Sequence, residues 1–211
     1  MPTRSAHEQL IAASLSLVEK QLVARTWGNL SIRLSEKRFL ITPSGIPYEN
    51  LKAEDLVELD LETLAWSGKR KPSSEKGLHA MIYRERPTVQ VVIHTHQAWA
   101  SAFAAARKGI AAQENAAAIP CARYALPTTK ALTRAVQEVI SGSTVNTVIL
   151  ANHGALVCAE DCETAIQLAV NLEERARQAI LASCTQNTGL NIDNNKIFAE
   201  AYIQMKERIW V

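Results

Sequence analysis

Two imidazoles stand one residue apart at the end of an apolar run, VVIHTH at residues 91–96. Side chains two apart in a strand share a face, so His94 and His96 point one way and Thr95 the other. Neutral imidazole is a borderline-soft donor, and two of them with a further histidine and a carboxylate suit a catalytic zinc or related divalent ion. The structural alternative is a pair of core histidines bonded to backbone carbonyls. A third histidine weighs for the metal. His153 sits in an Asn-His-Gly turn straight after an apolar strand pattern, where a polar side chain can project into a cleft at the strand end. Taken alone it reads as an ordinary turn residue. His7 falls in the first turn of an exposed helix, and His79 follows Glu75 by one helical turn, where it either supports the site from behind or simply packs.

A second constellation lies at RKPSSEKGLH, residues 70–79. Ser73, Ser74 and Glu75 stand at an expected helix start, where backbone N–H groups attract anions and the two hydroxyls add donors, as a phosphate seat requires. The same pattern is also an N-cap followed by a first-turn glutamate. Gly28-Asn29 and Thr42-Pro43-Ser44-Gly45 are turn signals, and Gly28 and Gly45 permit a ligand to approach the backbone.

The elements that must position these residues follow from periodicity. Ser5 with Glu8 forms a capping-box pattern, and Leu10, Ile11, Leu15 and Val18 recur at helical spacing. Residues 26–34 and 37–47 read as two strands of a hairpin, 51–56 as a short helical turn, and 56–68 as a further strand and hairpin. A helix over 75–83 is expected with Ser73 or Ser74 as its cap. Strand then follows over 89–94, helix over 98–107, a loop-rich stretch over 111–129, and helix over 130–140. Residues 144–150 and 154–160 form a second hairpin. Asp161 caps a long helix to about 183, and a last helix is expected near 194–208. Hairpins with interspersed helices predict a mixed or mainly antiparallel sheet covered by helices.

No linker, repeat or low-complexity tract divides the 211 residues, so one domain is expected. The net charge of +2 is spread over interleaved signs, with no basic face for nucleic acid. The start lacks an apolar stretch before a cleavage site and no later stretch approaches a membrane span, so a cytoplasmic, soluble protein is expected. The four cysteines form no CxxC pair and read as reduced thiols; the four-residue spacing of Cys158 and Cys162 leaves a metal role as a minor alternative.

In this order, TWGNLSIR, LITPSGIPYE, KPSSE, VVIHTH and LANHG resemble the class II aldolase/adducin family, over a span from about Gly28 to the helix after Asp161. The resemblance is strongest to the branch that cleaves L-fuculose 1-phosphate. It implies a single three-layer αβα domain over 1–211, with a mainly antiparallel central sheet flanked by helices. It further implies a homotetramer with sites between subunits, and zinc held by His94, His96 and His153. Glu75 resembles the residue that ligates the resting metal and acts as acid/base once substrate is bound. Gly28, Asn29, Ser44, Gly45, Ser73 and Ser74 map to the phosphate pocket of a small phosphorylated sugar, and Tyr202 resembles a tail tyrosine that acts as an acid. The implied reaction is aldol cleavage of a ketose 1-phosphate to dihydroxyacetone phosphate and an aldehyde through a metal-stabilised enediolate. Sugar-phosphate 4-epimerases, dehydratases and decarboxylases share the scaffold. The epimerase branch tends to carry Asp after the paired serines where this chain has Glu75, and non-enzymatic adducin-like modules have lost the metal histidines that this chain keeps. The stretch after the strand histidines, residues 110–124, lacks the branch's proton-donating tyrosine near its beginning and offers Gln113, Glu114 and Asn115, with Tyr124 read as structural.

Overall fold

The computed structural model describes residues 5–188; Tyr202 and the helix expected near 194–208 lie outside the described residues. Contacts divide the chain into two compact units, residues 1–176 and 177–211, and the sheet and site belong to the first.

Helix α1 (Ala6–Glu19) begins with the expected capping box: Glu8 N donates to Ser5 Oγ at 3.3 Å, and Ser5 N donates to Glu8 Oε2 at 2.8 Å. Strands β1 (Asn29–Arg33) and β2 (Arg38–Ile41) form the first hairpin, and β3 (Val57–Asp60) pairs with β2. The helical turn expected at 51–56 is a 3-10 turn at Ala53–Asp55, and the hairpin expected after β3 shrinks to an isolated bridge between Leu59 and Trp66.

Helix α2 (Lys76–Glu85) has Glu75 as its N-cap, not a serine. The cause is a competing set of bonds. Ser73 N donates to Thr42 O at 3.1 Å, which draws the serine pair against the 42–45 turn, and Ser73 Oγ accepts from Glu75 N at 3.2 Å. Strand β4 (Val91–Thr95), α3 (Ala98–Ala106) and a two-residue strand β5 (Cys121–Ala122) follow. Strand β5 is too short to show periodicity, which hides it within the loop-rich stretch. Helix α4 (Lys130–Ile140) is capped by Thr129 and buries Leu132, Ala135, Val136 and Ile140, the i, i+3, i+4 stripe of an amphipathic helix. Strands β6 (Thr147–Leu150) and β7 (Gly154–Ala159) form the second hairpin. Helix α5 (Cys162–Thr188) starts where Asp161 Oδ1 accepts the Thr164 amide at 2.8 Å.

The sheet runs β3-β2-β1-β4-β7-β6-β5, antiparallel throughout except for the β5–β6 pair. A largely antiparallel sheet between helices is the expected αβα architecture. Strand alternation divides its central residues between two cores. Leu30, Ile32, Val91, Ile93 and Val157 pack with Leu10 and Leu17 of α1 and with Ala165 and Ala169 of α5. Val92, Leu156 and Cys158 face Leu78 and Ile82 of α2 and Val136 of α4. The odd-numbered neighbours of Leu30 and Ile32, namely Asn29, Ser31 and Arg33, therefore face the α2 side together with His94. Arg33 spans to the end of α2, donating from Nε to Val89 O at 2.9 Å and from its terminal nitrogen to Tyr83 O at 2.5 Å. Among the described residues no helix is long and apolar enough to cross a membrane.

Because Ile93 faces α1 and α5 while its neighbour His94 faces α2, packing and site chemistry separate at adjacent residues. Ile93→Ala is expected to lower unfolding free energy by about 2–5 kcal/mol while leaving metal stoichiometry at its wild-type value; denaturant melts paired with metal analysis check both.

Candidate metal centre

His94 stands on the central strand, opposite Asn29 of β1 and Leu156 of β7. Its ring is fully buried, and Nδ1 donates to Ala155 O at 2.9 Å. That bond fixes the tautomer and leaves the lone pair of Nε2 facing inward. His96, one residue past the strand, brings its Nε2 to 2.8 Å from His94 Nε2. His153 arrives from the β6–β7 turn, which is held by Asn152 N donating to Ala104 O at 2.8 Å and His153 N donating to Leu150 O at 3.0 Å. Its ring centroid is 4.6 Å from that of His94 and 5.0 Å from that of His96. One donor nitrogen from each of the three rings lies within 4.8 Å of the others.

Glu75 enters from the N-cap of α2. Its Oε2 is 3.2 Å from His94 Nε2 and its Oε1 is 3.5 Å from His153 Nε2. Both Glu75 Oε1 and His153 Nδ1 are buried without a hydrogen-bond partner. Burial, with neighbouring imidazoles as the further cause, lowers His94 and His96 to about 3, and burial also lowers His153. Burial thus favours the neutral form of all three rings, and the Nε2 lone pair of His94 faces the other two. This donor set of three neutral imidazoles beside an orphaned carboxylate oxygen fits a divalent cation of borderline hardness. No cysteine joins the cluster among the described residues; Cys158 is buried as a thiol whose pKa burial raises.

Gly154 makes this convergence possible. A Cβ there would lie 2.4 Å from Thr95 O, 3.2 Å from His96 Cδ2 and 3.3 Å from His94 Cε1. Gly28 is similarly constrained, with φ +92° and its would-be Cβ 2.6 Å from His94 O.

The serine loops are brought side by side. Ser44 N donates to Lys71 O at 2.9 Å, Ser44 Oγ donates to Pro72 O at 2.9 Å, and Pro43 bridges Pro72. Ser73 is buried, while Ser44, Gly45 and Ser74 are exposed. A would-be Cβ on Gly45 meets nothing within 4 Å, so its φ of +77° serves the turn.

Behind Glu75 lies a polar chain. Asn29 Nδ2 donates to Glu75 Oε2 at 3.0 Å, and Asn29 Oδ1 meets His79 Nε2 at 2.5 Å. His79 Nδ1 meets Ser31 Oγ at 2.6 Å, which meets Tyr83 Oη at 2.7 Å. Sequence reasoning misses Ser31 and Tyr83, although a signal exists. Asn29 and Ser31 alternate with apolar residues along β1, and Glu75, His79 and Tyr83 recur every fourth residue along α2. Trp27, also missed, is half-exposed with its ring centroid 6.3 Å from that of His96.

Residues 8–180 match the family described as the class II aldolase and adducin N-terminal domain. L-ribulose-5-phosphate 4-epimerase UlaF of Salmonella paratyphi A is 33% identical, over 87% of each chain. Among solved structures, an L-fuculose 1-phosphate aldolase superposes with a TM-score of 0.80 at 29% identity, covering 96% of this chain and 98% of that one. The L-fuculose-1-phosphate aldolase of Thermus thermophilus shares the fold, with a TM-score of 0.73 at 22% identity, over 88% of this chain and 97% of the other. The chain belongs to the class II aldolase and adducin family.

Two outcomes test the site. Gly154→Ala is expected to weaken divalent-metal binding at least ~10-fold, read by competition with a chromophoric chelator. His79, buried and lowered to about 3, binds a proton in the unfolded chain before it does in the folded one. Its contribution to stability is therefore complete above its unfolded value of 6.5 and is lost as pH falls from there toward 3. In metal-free protein, His79→Gln should remove about 2 kcal/mol of the stability loss between neutral pH and pH 5, measured by urea unfolding.

Proposed function

We propose that the protein is a divalent-metal-dependent enzyme that opens and closes a carbon–carbon bond of a ketose phosphate. The observation that carries the reading is the convergence of His94, His96, His153 and Glu75 at one point. The three imidazoles, with Glu75 in the resting state, are the proposed metal ligands, and zinc is the proposed ion. A cation held there supplies positive charge beside the ketone oxygen, lowering the cost of the negative charge that bond cleavage leaves. Retention of all three histidines argues against a non-enzymatic adducin-like role.

The chain's own groups then have separate tasks. Gly28, Asn29, Ser44, Gly45, Ser73 and Ser74 form the proposed phosphate seat, fixing the register of the substrate so that distant binding contributes to orientation. Glu75 is the proposed proton carrier. As the C3–C4 bond opens, the C4 hydroxyl gives up its proton, its O–H electrons form the new carbonyl, and the bonding pair stays on C3. The proton returns to oxygen if the bond re-forms, or is placed on C3 if the fragments part.

Those two endings are the two readings of the reaction. Re-addition to the other face of the aldehyde inverts C4 and is the 4-epimerase outcome; relatives that are L-ribulose-5-phosphate 4-epimerases, 33% identical over most of both chains, favour it. Release is the aldolase outcome expected from the sequence motifs, and the TM-score of 0.80 to an L-fuculose 1-phosphate aldolase, with Glu at position 75, favours it. The epimerase reading is at least as well supported, so the aldolase no longer stands first. The dehydratase and decarboxylase outcomes have no observation of their own. A single domain, a homotetramer with sites between subunits, and a cytoplasmic location belong to the same proposal; the acid role of Tyr202 rests on the resemblance alone.

The test is metal-loaded protein incubated separately with L-ribulose 5-phosphate and L-fuculose 1-phosphate, products being followed by NMR. Inversion at C4 without free fragments marks the epimerase, and release of dihydroxyacetone phosphate from the second substrate marks the aldolase. Loss of neither substrate would sink the reading. Glu75→Gln is expected to keep its metal and lose at least ~100-fold in kcat.

A further inference from the structure

The polar chain behind Glu75 has only one consistent direction of hydrogen bonding. Glu75 Oε2 is an acceptor, so the Asn29 amide presents its NH2 to it and its carbonyl to His79. That carbonyl requires a hydrogen on His79 Nε2. The ring is fully buried and neutral, which leaves Nδ1 a bare lone pair. Ser31 Oγ must then donate to Nδ1, and its own lone pair accepts from Tyr83 Oη. Every donor points toward Glu75. At the end of the chain Oε2 is bonded, whereas Oε1 has no hydrogen-bond partner.

We propose that His79 is a positioning residue for Glu75: as the Nε2–H tautomer it anchors Asn29, whose amide pins Oε2 and leaves Oε1 as the proton-carrying atom. The inference rests on the reading of Glu75 as proton carrier. An amide stands between His79 and Glu75 and relays no proton, so the chain acts by aiming the carboxylate. Misplacement of a reacting group by about 1 Å costs on the order of 100-fold in rate, which sets the scale. The three histidine ligands do not bond to the His79 ring, and Asn29, which it anchors, is one of six groups in the proposed phosphate seat, so the loss of His79 should act mainly on kcat, with KM and metal binding little changed.

The experiment compares His79→Leu, which fills the space without a donor, with His79→Gln, whose amide can donate to Asn29. The substrate is whichever sugar phosphate the wild-type enzyme turns over. His79→Leu is expected to keep full metal stoichiometry and a KM within about twofold, with kcat lowered ~30- to 100-fold; His79→Gln should recover kcat to within about fivefold. Introduced into Glu75→Gln, His79→Leu should change the residual rate no further, because it acts only through that carboxylate. Wild-type kcat in His79→Leu, equal losses in the Leu and Gln variants, or full additivity with Glu75→Gln would each overturn the proposal. If Glu75→Gln alone retains full turnover, the reading of Glu75 fails first and takes this inference with it. Nitrogen-15 NMR of histidine-labelled protein at pH 7 gives a measure independent of turnover and of variant folding. It should show hydrogen on Nε2 of His79 and a bare Nδ1, and the opposite tautomer would refute the assignment.

Discussion

Three imidazoles and a carboxylate converge on one point, an arrangement that a divalent cation satisfies, and the rest of the fold is arranged to maintain it. His94 is fully buried and Glu75 nearly so, while His96 and His153 are half-buried. The backbone supplies the rigidity. His94 is locked by its bond to the Ala155 carbonyl, and β4 is paired on both sides, to β1 and to β7. The absence of a side chain at Gly154 admits the rings of His94 and His96 to the same space. A central, doubly paired strand and a tight turn at its neighbour give two ligands on rigid backbone and a third whose turn is tied to α3.

The two faces of the sheet divide the work. Toward α1 and α5, β1 and β4 present Leu30, Ile32, Val91 and Ile93, an apolar surface that stabilises by burial. Toward α2 they present Asn29, Ser31 and His94, against Glu75, His79 and Tyr83 on the helix. Polar groups out of water cost free energy unless each finds a partner. Along this stripe they do, in a continuous chain, with an exception at Glu75 Oε1 beside the proposed ion. The period of two along β1 meets the period of four along α2, so the two polar stripes close against each other.

Much of this was legible from the sequence because it is local. The HxH spacing, the Asn-His-Gly turn, the Ser5–Glu8 box and the α4 stripe each follow from neighbours within one element. What was not legible depends on pairing between elements. The cap of α2 moved to Glu75 because Ser73 is engaged by Thr42, a residue 31 positions away by number. Strand β5 exists only because two residues lie alongside β6. Ser31 and Tyr83 carry no chemistry by themselves and gain meaning only when β1 and α2 face each other. His79 could be read as support or as packing, and only the structure shows a partner on each ring nitrogen.

Family membership leaves the reaction open for a physical reason. Cleaving a ketose phosphate between C3 and C4 places charge on the ketone fragment whichever end bears the phosphate, and the proposed metal site with Glu75 would meet that charge identically. In L-fuculose 1-phosphate the phosphate stays with the ketone fragment, whereas in L-ribulose 5-phosphate it leaves with the aldehyde. A seat at Ser44 and Ser73 can therefore hold the nucleophile in one case and retain the aldehyde for re-addition in the other. Under the proposed function, the outcome would be set by which fragment the serine loops grip and by how far the other can rotate before the bond closes. Those are properties of the open side of the site, where Trp27 and Ser74 are exposed, and not of its buried centre.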